Sequence, residues 1–171
     1  MNVATPGIHP PDLDRLFRDS ADDLARYFFR RHGSSEVAED LVQEVFLQLA
    51  RKDCRPEGSA RGYLFGIARH LSAAFWRRQY RRPGIISLED APATGELAAP
   101  IADDRVQQAR EILATMPARD REILDLRFAH GLSYAETAET LGIPVGTVRS
   151  RLHHAIGELR QRIASDSQIT P

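Results

Sequence analysis

The chain lacks almost everything that marks an exported, membrane-bound or catalytic protein. Among 171 residues there is one cysteine, Cys54, so neither a disulfide framework nor a thiolate cluster for zinc can form within it. No apolar run approaches the roughly 20 residues of a membrane span. The first residues, MNVATPGIHPPDLDRLF, lack the charged-then-apolar pattern of a secretory signal, so a cytoplasmic location is expected. There is no glycine-rich phosphate loop, no metal constellation and no nucleophile beside a base. His153 and His154 are adjacent and have no ligand partners at metal spacing. No cofactor, no metal and no enzymatic activity is expected. Alternating β-branched segments are scarce, whereas Leu, Ala, Arg and Glu abound, which favours an all-α fold of one or two domains.

A net charge of −1 conceals a segregated distribution. Residues 61–82 carry six arginines and no acid, and residues 83–104 carry five acids and no base. Between residues 34 and 50 the charges are Glu36, Glu39, Asp40 and Glu44, again with no base. A nucleic-acid binder needs local positive potential rather than a positive total. The acidic stretches cannot bind phosphate and must serve another purpose.

The periodicity predicts two small helical domains joined by an extended acidic linker, the second containing a helix-turn-helix. Residues 1–11 form a flexible tail. The first domain, residues 12–82, holds three helices. The first carries Leu13, Leu16, Phe17, Leu24, Tyr27 and Phe28 and ends near Gly33. The second is capped by Ser34 or Ser35 and runs to about Arg51, with Val37, Leu41, Val45 and Leu49 as its core stripe. The third is capped by Ser59, with Leu64, Ile67, Leu71 and Phe75 facing in. Residues 83–103 have no helical periodicity and read as the linker. The second domain, residues 104–165, opens with a helix capped by Asp103 or Asp104, then one opened by Pro117 that stops before Gly131. Residues 166–171 are a tail.

The most specific stretch is SYAETAETLGIPVGTVRSRLHHAIGELRQRI, residues 133–163. Ser133 and Glu136 form a capping-box pair that starts a helix. Ala138 is small enough to let a second helix pass close by. Gly142 supplies the turn, since without Cβ it tolerates positive φ, and Pro144 pre-sets the next helix. In that helix Val148, Leu152, Ile156, Leu159 and Ile163 make the buried stripe, leaving Arg149, Ser150, Arg151, His153 and His154 outside. Apolar on one side and groove-reading on the other, it has the layout of a recognition helix. Arg149 and Arg151 lie about 200° apart on it, so they are expected to differ in role. Arg149 with His153 is assigned to base edges, Arg151 with His154 to the DNA backbone.

Two further faces are informative. Glu36, Asp40, Gln43, Glu44 and Leu47 make an acidic surface with an apolar knob, Phe46 beside it. That surface is either simply solvated or a dock for a basic partner helix. On the third helix, Gly62, Gly66, Arg69, Ala73, Trp76, Arg77 and Tyr80 share the face opposite the core stripe, with Arg69 read as exposed. Arginines take phosphates and rings stack on unpaired bases. The alternative is that Tyr63, Trp76 and Tyr80 pack against the first helix. The preceding polar loop, from Lys52 to Ser59, is a candidate base pocket.

Three segments together carry a family resemblance. They are AEDLVQEVFLQL (residues 38–49), RGYLFGIARHLSAAFWRRQYRR (61–82) and MPARDREILDLRFAHGLSYAETAETLGIPVGTVRSRLHHA (116–155). In this order they resemble an extracytoplasmic-function sigma factor of bacterial RNA polymerase. The resemblance implies a first domain that docks on core RNA polymerase and melts the minus-ten promoter element, and a second that binds the minus-thirty-five element as duplex. It implies docking on the clamp helices of the largest polymerase subunit through Asp40, Gln43, Glu44, Phe46 and Leu47. Minus-ten contacts would come from Lys52, Arg55, Arg61, Tyr63, Arg69, His70, Trp76, Arg77 and Arg78. Minus-thirty-five contacts would come from Tyr134, Thr147, Arg149, Ser150, Arg151, His153 and His154. Promoter DNA and an anti-sigma factor are the other implied partners, with no membrane insertion. The chain departs from the family pattern at Tyr63, where a Trp is usual, at His70 for Asn, and at Ala74 for Asp. The runner-up is a helix-turn-helix regulator that never joins the polymerase, a reading that leaves the arginine and aromatic face of the third helix unexplained.

Overall fold

The computed structural model describes residues 10–51, 58–79 and 104–166, and every structural statement below concerns those residues. Lys52, Arg55, Tyr80, the linker and the final tail from residue 167 lie outside them. All the described regular structure is helical: α1 Pro10–His32, α2 Ser35–Arg51, α3 Ala60–Gln79, α4 Asp104–Thr115, α5 Ala118–Leu124, α6 Tyr134–Leu141 and α7 Val145–Asp166. None of these helices is long and apolar enough to cross a membrane.

The helix boundaries follow local chemistry. α1 begins within the expected tail, at Pro10, since proline is tolerated in a first helical turn. Gly33, at φ 70°, ends it. The Ser34 hydroxyl accepts the Val37 N–H at 3.3 Å and starts α2. The Ser59 hydroxyl accepts the Gly62 N–H at 3.4 Å and starts α3. α5 continues directly into one π-helical turn, Asp125–Ala129, closed by the His130 N–H to the Asp125 carbonyl at 3.1 Å. Sequence periodicity gave no sign of that wider turn.

α1, α2 and α3 bury one core around Leu24, Tyr27, Phe28, Val45, Leu64 and Phe65. α5, α6 and α7 bury a second around Met116, Ile123, Val148, Leu152 and Ala155. The two cores meet: Leu126 and Leu132, fully buried, belong to the first, and Leu141 packs against both. α6 lies along α3 at close range. A Cβ on Gly62 would come within 3.1 Å of the Glu136 backbone. The Thr140 hydroxyl donates to the Gly62 carbonyl at 3.0 Å.

Candidate nucleic-acid and polymerase interfaces

The acidic row of α2 is positioned by its opposite side. Leu41, Val42, Val45, Phe46 and Leu49 are buried, so Asp40, Gln43 and Leu47 face solvent, with Glu44 half-buried. Phe46 is corrected here. It is 8% exposed and packs edge-on to Phe17 at 4.7 Å, because it shares its side of the helix with Val42 and Leu49. Asp40 and Glu44 border an open groove of about 710 Å³ between α2 and α3, with Leu41, Leu71, Ala74, Phe75 and Arg78 among its other lining residues. Its lining is as polar as it is apolar, with Gln48 and Gln79 beside the two carboxylates and Arg78.

α3 differs from expectation at two positions. Arg69 is only 8% exposed. Its guanidinium holds Glu122 of α5 in a two-pronged grip, Nε to Oε1 and NH2 to Oε2, both at 3.0 Å. Arg31 from α1 adds a third bond to the same carboxylate, also at 3.0 Å, while lying 4.4 Å above the Tyr27 ring. Trp76 does not project freely. It stacks on His32 of α1 at 5.2 Å, so the packing alternative applies to it, and Tyr63 is likewise half-buried against the first core. Arg61 is half-buried, bonding Asp23 of α1 and the His130 carbonyl, each at 2.6 Å. His70, Arg77 and Arg78 remain exposed.

The charged groups at this seam respond to their surroundings. Burial works against ionised Asp23, yet hydrogen bonds from Arg26 and Arg61 outweigh it and hold the carboxyl below its ordinary value. Glu136 behaves alike: burial opposes its charge, and bonds from the Ser133 backbone and hydroxyl and from Ser59 prevail. In Asp125, burial is outweighed by His130, Arg30 and Arg31.

The helix-turn-helix forms as its residues dictate. The Ser133 hydroxyl accepts the Glu136 N–H at 3.1 Å and the Glu136 carboxylate accepts the Ser133 N–H at 2.7 Å, completing the capping box. Gly142 turns the chain at φ 66°. Val148, Leu152 and Ala155 anchor α7. Arg149, Ser150, His153 and His154 are exposed, and Thr147 and Arg151 are half-buried. Tyr134 is 38% exposed and lies between two arginines, with Arg127 at 5.2 Å and Arg149 at 5.7 Å from its ring centre.

The family description Sigma-70 region 2 matches residues 16–82, and Sigma-70, region 4 matches residues 107–159. The chain is 35% identical over 155 residues to the ECF RNA polymerase sigma factor SigL of Mycobacterium tuberculosis, covering 85% of each. The chain belongs to the sigma-70 family. Its relatives place it in the extracytoplasmic-function branch. They include the ECF RNA polymerase sigma factor SigE of Mycolicibacterium smegmatis, 33% identical over 172 residues. That match covers 94% of this chain, which spans 65% of the length of SigE. The sigma factor RpoE of Bartonella quintana, solved with the anti-sigma factor NepR, shares the fold: TM-score 0.62 at 22% identity, covering 91% of this chain and 98% of that one.

Within this sigma factor, α1–α3 are region two and α4–α7 region four. Sequence reasoning missed Glu122, on which the contact between the regions centres. Two signals were available: an arginine inside the apolar run GIARHLSAAF, and a glutamate directly preceding Ile123 and Leu124.

Proposed function

We propose that this sigma factor recruits core RNA polymerase to a set of promoters in the cytoplasm and opens them there. The observation that supports it best is the pairing, within one sigma-70 chain, of two outward faces of opposite chemistry. The α2 row of Asp40, Gln43, Glu44 and Leu47 docks on the clamp helices of the largest subunit. The α7 row of Arg149, Ser150, His153 and His154, with Thr147 and Arg151 at its edge, reads the minus-thirty-five duplex. The exposed α3 residues His70, Arg77 and Arg78 meet the minus-ten region, and Arg61 and Arg69 join them only when region four withdraws. Nucleotide addition belongs to the polymerase, and this chain makes no bond. An anti-sigma factor, such as the one bound by the Bartonella quintana protein, is the proposed inhibitor.

Run-off transcription with purified core polymerase on a promoter library from the same genome tests the proposal. Discrete starts absent with core alone are expected. Their absence would favour a regulator that acts outside the polymerase. In a parallel co-purification, the double reversal Asp40→Arg with Glu44→Arg should abolish retention on core, since it sets cations against a basic partner. Undiminished retention would show the α2 row to be merely solvated.

A further inference from the structure

The arginines flanking Tyr134 have a feature that DNA contact alone does not require. Among the described residues, neither Arg127 nor Arg149 has a carboxylate within 4.0 Å, yet both guanidiniums lie within 6 Å of one ring. Neither guanidinium is engaged in an ion pair there, so both stay available to an anion. The ring is also tied to the frame of region four. The Arg127 NH1 donates to the Leu132 carbonyl at 3.0 Å, and the Leu132 N–H donates to the Leu126 carbonyl at 3.0 Å. Leu126 and Leu132 are fully buried. Tyr134 itself is the first residue of α6, fixed by the Ser133 capping box. A continuous path therefore runs from the buried π turn through Arg127 and the ring to Arg149 on the outer face of α7.

We propose that Tyr134 is a positioning residue for promoter recognition: its ring, backed by Arg127, holds the Arg149 guanidinium in its base-reading orientation. An exposed arginine otherwise samples many rotamers and loses that freedom when it meets a base. Attraction to the face of an aromatic ring orders it beforehand. The hydroxyl of Tyr134 is not needed for this role, whereas the ring is. The proposal rests on the reading above that α7 recognises the minus-thirty-five element and that Arg149 touches bases there.

The test uses the full chain with core polymerase and selects preferred minus-thirty-five sequences from a randomised pool. Wild type is compared with Tyr134→Leu, Tyr134→Phe, Arg149→Ala and the double variant Tyr134→Leu with Arg149→Ala, each checked for unchanged helix content. Tyr134→Leu should relax preference at the positions that Arg149→Ala relaxes, by about two- to fivefold. Tyr134→Phe should retain the wild-type profile. The double variant should be no more relaxed than Arg149→Ala alone, since both changes remove one interaction. A wild-type profile for Tyr134→Leu beside an altered one for Arg149→Ala would overturn the positioning role and leave the base-reading role intact. So would independent effects that multiply in the double variant. An unaltered profile for Arg149→Ala, with promoter-specific starts preserved, would overturn the base-reading assignment and the proposal with it.

Discussion

Arg69 stands among Gly66, Ile67, Ala68, Leu71 and Ser72, and a positive charge there must find a carboxylate or stay in water. It finds Glu122, a partner 53 residues away along the chain. Helical spacing placed Arg69 opposite the region-two core and correctly separated it from Leu64 and Leu71. Spacing alone could not say that a second domain covers that opposite side. Trp76 illustrates the same limit, since its position gave no sign that His32 would stack beneath it. His32 has a testable consequence. Its ring contacts Trp76 and Phe75, its Nε2 lies 3.0 Å from the Ser72 hydroxyl, and charged Arg31 adjoins it in sequence. Burial first, then Arg31, lowers its pKa from 6.5 to about 4. The folded value lies below the unfolded one, so the unfolded chain takes up the proton first. The contribution from neutral His32 is complete above about pH 6.5 and is lost as the pH falls towards about 4. His32→Phe keeps an aromatic ring and removes the titration. Its thermal midpoint should fall less steeply than that of wild type between pH 6.5 and about 4. Parallel curves for the two proteins would refute the assignment.

At the scale of elements, the helix-turn-helix was legible because each of its steps has its own local signal. Ser133 and Glu136 cap, Gly142 turns at positive φ, Pro144 restarts the helix, and Val148 and Leu152 repeat at helical spacing. The starts of α2 and α3 were legible for the same reason, through Ser34 and Ser59. Phe46 was counted among the docking residues because it flanks the Val45 stripe instead of lying on it, whereas it is buried. The buried side of α2, from Ala38 to Leu49, is therefore broad enough to include Val42 and Phe46. The π turn at Asp125–Ala129 was not legible at all, since one wider hydrogen bond changes the pitch without calling for a distinctive residue type. The capping box offers a clean measurement. Ser133→Ala removes the acceptor for the Glu136 N–H and leaves the buried faces of α6 untouched. Urea unfolding should show a loss of about 1 kcal/mol. A change near zero would mean that Glu136, through its bond to the Ser133 N–H, carries the helix start alone.

The two domains of this sigma factor meet as one body through contacts that the sequence does not advertise. Glu122, 6% exposed, joins Arg31 and Arg69, and the Ser59 N–H and hydroxyl reach Glu139 and Glu136, both at 2.9 Å. Leu126 and Leu132 of region four complete the region-two core. Such a junction is held by apolar burial, while its ionic centre fixes the fit more than it stabilises it, because desolvation offsets the attraction of buried charges. Taking away one partner is a different matter. Glu122→Ala leaves two guanidiniums buried without a carboxylate, a cost of about 3–5 kcal/mol if the domains stay together. Separation of the domains lets water take both charges, so the chain should open before either helical unit unfolds. Small-angle scattering should then show a larger radius of gyration for Glu122→Ala, with circular dichroism unchanged. The triple variant Glu122→Leu with Arg31→Met and Arg69→Leu removes all the charge at once and should remain closed. An unchanged radius for Glu122→Ala at full helix content would show that the remaining apolar and polar contacts hold the domains together without Glu122. With region four in place Arg61 bonds the His130 carbonyl and Arg69 bonds Glu122, so the proposed minus-ten role of either residue requires the same separation.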